Sequence, residues 1–146
     1  MYLQALLSWL YWLVHRCKLK NDMTDEVRDI FLNKHNEYRS QVARGLAKDR
    51  QGGTTPTAGK MARMSYDCKL EETMMKWLNK CKSDHSRGEN CENMWMSSMD
   101  KLKALDMMVW QSSRKMGCSV KVCDKFVLAS CQYQRQCAHM FNFSRV

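Results

Sequence analysis

The sequence predicts an α+β domain in which two amphipathic helices precede an antiparallel sheet. Three observations carry that expectation. Apolar positions recur at helical spacing over roughly residues 24–45 and again over 68–81, the last third of the chain alternates like strands, and eight cysteines are spread over 146 residues with no C-x-x-C pair. One domain is expected, because a chain of this length has no room for two ordinary cores.

The first helix begins after Thr24, a suitable N-cap, with Asp25 and Glu26 at the positive end of its dipole. Val27, Ile30, Phe31, Tyr38 and Val42 mark its expected buried face, and the pattern stops near Gly45. "DRQGGTTPTAGK" (49–60) reads as a loop. The second helix follows "MSYDC". Leu70, Met74, Trp77, Leu78 and Cys81 line one face, and Lys69, Glu71, Glu72 and Lys76 are expected in solvent. After Cys81 the composition suggests a loop and a weakly helical piece, "MDKLKALDM". Strands are expected at "MMVWQ" (107–111), "CSVKVC" (118–123) and "KFVLASCQY" (125–133), the last two joined by a tight turn at Asp124 and Lys125. The thirteen methionines read as adaptable core filler.

Close cysteine pairs would announce zinc, and none is present, so the candidates Cys17, Cys68, Cys81, Cys91, Cys118, Cys123, Cys131 and Cys137 predict disulfides. Eight cysteines allow 105 connectivities. Nearness to motifs suggests Cys118 with Cys123 at the hairpin and Cys81 with Cys131. The apolar run Met1–Val14 is too short to span a bilayer and suits the core of a secretory signal, although it lacks a positive n-region and an A-x-A-like cleavage site. The expected layout is a signal or its remnant at 1–16, the domain at 24–137 and a short tail at 138–146. A secreted, extracellular protein follows, with Asn142 in a glycosylation sequon. The net charge of +9 comes from lysines and arginines interleaved with acids, without a basic-aromatic motif; nucleic-acid binding is not expected, whereas anionic membranes or glycans attract such a surface.

Five stretches occur in an order that resembles the CAP superfamily (SCP, or sperm-coating-protein-like, domains): "FLNKHNEYRSQVARG", "PTAGKMARMSYDCKLE", "HSRGEN", "MMVWQSSRKMGC" and "VLASCQY". The proline-threonine-alanine segment is most similar to venom-allergen-like and Ancylostoma-secreted-protein-like members from nematodes. The resemblance implies an α-β-α sandwich, stabilised by disulfides, and a cleft of two histidines and two glutamates that holds a divalent cation in some members. His85 and Glu89 match the first histidine and glutamate. Ala104 stands where the second histidine belongs, Met107 replaces a glutamine, and the interval from Cys91 to Leu105 cannot hold the helix that carries the second glutamate. An internal segment of the family pattern is therefore missing.

Two ligands bind zinc weakly, so no cofactor is expected, and His85 and Glu89 have a structural reading as remnants hydrogen-bonded across the loop. His35, Asn36 and Arg39, in "HNEYR", could look catalytic beside Cys68 or Cys81, but disulfide-bonded sulfur supplies no thiolate. By resemblance they are a packing and hydrogen-bonding motif. The resemblance implies a non-enzymatic protein that acts at a host or tissue interface by binding a receptor, modulating immune cells, or binding a sterol or another lipid, with no stable membrane span. The alternatives are a metal-dependent hydrolase and a truncated, non-functional product.

Overall fold

The computed structural model describes residues 17–48, 51–86, 88, 90–96 and 113–134. The expected signal, the tail, the strand at 107–111, Ala104, Glu89, Cys137 and Asn142 lie outside them.

Helix α1 spans Asp25–Ala43, with the Thr24 hydroxyl accepting from the Val27 amide, as the capping sequence requires. Its packing face is not the apolar stripe. Arg28, Leu32, His35 and Arg39 are buried, while Ile30 is 62% and Tyr38 37% exposed. Three long polar side chains face inward because each finds partners there. Arg28 forks onto both oxygens of Glu71 (Nε and Nη2, both 2.7 Å), and Arg39 donates to the Ala62 carbonyl through Nε (3.1 Å) and Nη2 (2.7 Å). Asn36 exchanges two bonds with the Met64 backbone.

Strand β1 (Ser65–Tyr66) leads into helix α2 (Cys68–Leu78), which is capped by the Asp67 carboxylate accepting from Lys69 and Leu70 amides. Leu70, Met74 and Leu78 are buried as the periodicity predicts. Glu71, expected in solvent, has no exposed surface; it is held by Arg28, by Asn21 (2.8 Å) and by the Tyr66 hydroxyl (2.8 Å). A buried carboxylate needs such a set, since an unpaired one is prohibitively costly.

Strands β2 (Cys91–Met96), β3 (Lys115–Val122) and β4 (Val127–Tyr133) complete a sheet of order β1-β3-β4-β2. β2, β3 and β4 pair antiparallel, and the two-residue β1 runs parallel to β3. The β3–β4 turn falls at Asp124 and Lys125, closed by the Cys123 amide on the Phe126 carbonyl (2.9 Å). β2 was expected as loop; its Cys91, Glu92 and Met94 are buried, and six residues are enough once a neighbouring strand supplies the ladder.

The two helices cover opposite faces, giving the α-β-α sandwich. On the α1 side lie Leu32, Met64, Met116, Cys118, Cys131 and Tyr133; on the α2 side lie Met74, Leu78, Met94 and Leu128. Among the described residues six methionines are buried: Met23, Met64, Met74, Met75, Met94 and Met116. Gly117 lets α2 sit directly on β3, because a Cβ there would lie 2.3 Å from the Glu71 amide nitrogen and 2.6 Å from the Asp67 carbonyl.

The disulfides join Cys17 to Cys68, Cys81 to Cys123, and Cys118 to Cys131; Cys91 is also disulfide-bonded. This corrects both suggested pairings. Cys118 and Cys123 are five residues apart along extended chain, so their side chains leave opposite faces about 16 Å apart, beyond the reach of any disulfide. Cys118 instead faces Cys131 across the β3–β4 ladder, and Cys81 follows α2 to Cys123 beyond the end of β3.

Candidate functional site

The loop after α2 carries His85. The Trp77 indole donates to the Asp84 carbonyl (2.7 Å) and the Asp84 carboxylate accepts from the His85 amide (2.8 Å), which ties the loop to α2. The imidazole lies over the end of β2, with Nδ1 2.8 Å from Oε1 of Glu92. The side chain of His85 is 61% exposed, that of Glu92 only 6%.

Glu92 is fully engaged. Oε1 accepts from His85 Nδ1 and from the Ser86 amide (2.7 Å); Oε2 accepts from the Ser86 hydroxyl and from Gln132 Nε2 (3.4 Å). Four donors use about all the lone pairs a carboxylate offers. Burial opposes ionisation of Glu92, but the bonds from His85 and Ser86 outweigh it and hold the group below the usual carboxylate range. In turn, the hydrogen bond to Glu92 raises the His85 pKa against partial desolvation. Because Glu92 can only accept, His85 carries its proton on Nδ1 when neutral and presents Nε2 outward. The Gln132 side-chain oxygen is buried without a hydrogen-bond partner beside this group.

The dyad's carboxylate is thus Glu92, which the sequence reading missed; Glu89 lies outside the described residues. The signal was present as a second Glu-Asn pair, "CEN", immediately after "GEN", with Glu92 opening a strand and pointing to the buried face. Ser86 and Gln132 gave no comparable sign.

His35, Asn36 and Arg39 lie on α1, away from His85. His35 Nδ1 donates to the Phe31 carbonyl (2.7 Å), and Nε2 accepts from the Tyr133 hydroxyl (2.7 Å). Burial, with Arg39 adding to it, drives the His35 pKa down to about 4. Ligand atoms of His35, Cys118 and Cys131 lie within 4.8 Å of one another, but the two sulfurs are bonded to each other and are spent as ligands. No described cysteine is free to act as a nucleophile.

Among the described residues around His85, one imidazole nitrogen and one amide oxygen remain available as ligand atoms, short of the three protein ligands of a catalytic zinc site. Among the described residues no helix is long and apolar enough to cross a membrane.

Residues 32–100 match the model of the cysteine-rich secretory protein family, CAP. The chain is 35% identical to Ancylostoma secreted protein of Ancylostoma caninum over 162 residues, covering 81% of this chain but only 38% of that protein. Since 81% of 146 residues is about 118, roughly 44 of those 162 aligned positions have no counterpart here, as expected of a missing internal segment. Hookworm platelet inhibitor 1 of the same organism is 29% identical, over 80% of this chain and 67% of its own length. Among solved structures, that of NaASP2 with Zn2+ superposes with a TM-score of 0.70 at 34% identity, covering 80% of this chain and 83% of that one.

Proposed function

The chain belongs to the CAP family of cysteine-rich secretory proteins, and on that premise we propose that it works outside the cell by binding a protein receptor at a host or tissue surface, without catalysis. The observation that carries this reading is the saturated Glu92 carboxylate. The lone pairs of Glu92 are occupied by His85, Ser86 and Gln132, so Glu92 fixes and charges His85 and does not itself act as a base or metal ligand. The outward Nε2 of His85 is the atom this group presents. What remains is a fixed, chargeable imidazole on the surface, which is a recognition element. The names of two relatives, a secreted protein and a platelet inhibitor, support an extracellular action on host cells. Sterol or lipid capture is the second form such binding can take in this family, and neither form requires a resident cation.

The test is saturable binding of the disulfide-intact, labelled protein to blood platelets and leukocytes. Binding abolished by mild protease treatment of the cells supports a protein receptor. Binding that survives protease and falls on sterol depletion moves the reading to lipid. Hydrolysis of ester or peptide substrates that disappears in His85→Ala would overturn it altogether.

A further inference from the structure

Charge is distributed unevenly along α1 and the loop after it. Residues 22–37 hold five acids against Arg28 and Lys34, whereas residues 38–66 hold six cations and a single acid, Asp49. No run of like charges reveals this; the fold gathers them. The Ala58 amide bonds the Ala43 carbonyl (3.2 Å), and Arg39 and Asn36 then take Ala62 and Met64, so the chain returns along the second half of α1. The loop between is pinned by the Thr55 amide on the Ala47 carbonyl (2.9 Å) and by a bridge of Lys48 with Thr54. Gly45 permits this closure: its φ is +69°, and a Cβ would stand 3.0 Å from the Thr55 carbonyl.

Arg44, Lys48, Lys60 and Arg63 are all exposed on this clip. Among the described residues none of them makes an ion pair, whereas Lys34, Lys76 and Lys115 are matched by Glu37, Glu72 and Asp67. Between α1 and the returning chain runs a groove of about 450 Å³ that Asn33, Asn36, Ser40 and Arg63 help to line. Its one acid, Glu37, is neutralised by Lys34 at 2.8 Å. Amides and a hydroxyl in a concave groove suit sugar hydroxyls; flanking unpaired cations suit sulfate, which arginine can hold through two parallel bonds.

We propose that this clip and groove bind sulfated glycans, with Arg44, Lys48, Lys60 and Arg63 facing the sulfates. The bland account, that cations at the end of α1 merely complement its dipole, covers Arg44 at the C-cap but not Lys60 and Arg63, which lie back along the helix. A flat anionic bilayer cannot enter the groove, so the glycan is favoured over the membrane. This site is separate from the His85 dyad and stands without the receptor reading.

The experiment measures binding of the whole protein to a sulfated heparin oligosaccharide at several salt concentrations. A clip variant (Arg44→Ala, Lys48→Ala, Lys60→Ala, Arg63→Ala) is compared with a charge-matched control (Lys18→Ala, Lys69→Ala, Lys82→Ala, Lys125→Ala). The clip variant should bind at least about tenfold more weakly, with a shallower salt dependence, by analogy with other polyanions, and the control within about threefold of the parent. Desulfated oligosaccharide should not compete. Equal weakening of both variants would reduce the site to net charge and overturn the proposal. So would retention on phosphatidylserine vesicles with no affinity for the oligosaccharide. If the clip variant does not fold, Lys60→Glu alone, on an exposed side chain, should still weaken binding while the melting temperature is unchanged; unweakened binding overturns the proposal equally.

Discussion

Acidification from pH 7 to pH 5 should destabilise the protein by about 2 kcal/mol through His35 alone. The imidazole is 2% exposed, its Nδ1 proton lies on the Phe31 carbonyl, and its Nε2 accepts from a fully buried Tyr133 hydroxyl. Burial disfavours the charged imidazolium and the nearby Arg39 adds to that, which is why the pKa falls from 6.5 to about 4. The unfolded chain therefore binds the proton first. Stability is full above pH 6.5, declines as pH drops toward 4, and then levels off, a total of about 3 kcal/mol at about 1.4 kcal/mol per pKa unit. His85 has the opposite sign: its raised pKa adds stability that is present below pH 6.5 and lost as pH rises, a small effect at so exposed a side chain. Glu71 and Glu92, both depressed, lose their contributions only as pH falls below about 4.5, outside the window. Urea unfolding at pH 7, 6 and 5, for the parent and for His35→Gln, isolates the effect. His35→Gln should be less stable at pH 7 and flatter between pH 6.5 and 5. Parallel curves for the two proteins would refute the assignment.

Three further outcomes follow from particular contacts. Gly117→Ala forces backbone atoms of α2 away from β3, so secretion yield should collapse or the melting temperature drop by more than 10 °C, roughly 2 kcal/mol or more for a domain of this size. Glu71→Gln removes the buried counter-charge of Arg28 and leaves it the partly exposed Asp25 at 2.8 Å, so it should cost about 3 kcal/mol in chemical denaturation, with Arg28→Met restoring part of the loss in the double variant. NMR titration of His85 should show its pKa falling toward the ordinary value in Glu92→Gln, since the carboxylate that raises it has gone; an unchanged pKa would break the dyad.

The parts of this molecule that local chemistry decides were apparent in the amino-acid order. Thr24 caps α1, the apolar stripe of α2 packs, and Asp124 and Lys125 turn the hairpin. What periodicity missed was polar burial. Arg28, His35 and Arg39 form the inward face of α1, and Glu71 the inward face of α2, because partners 23 to 98 residues away satisfy them, and no scale that assigns polar residues to solvent can anticipate this. The disulfides were obscured for a related reason, since nearness along a strand separates side chains onto opposite faces. Glu92 was overlooked because "GEN" and "CEN" compete as the family's motif, and only the pleat of β2 decides which carboxylate reaches His85.

The same buried polar contacts bear on whether a shortened CAP domain can stand by itself. α1 is clasped to Glu71, Ala62, Met64 and Tyr133, and all of these belong to segments that remain. Disulfides closing 51, 42 and 13 residues tie the N-terminal arm to α2, the loop after α2 to the end of β3, and β3 to β4. In the chain-entropy account each restricts the unfolded state by about 3–4 kcal/mol. The two apolar cores lie on opposite faces of the same strands, β2 and β4, so neither can be lost while the other persists. Unfolding should therefore be one cooperative transition, with calorimetric and van't Hoff enthalpies in agreement. Two separated transitions, or a broad melt with apolar dye binding at pH 7, would mean that the missing segment had carried one of the cores and that the remainder is not a folded unit.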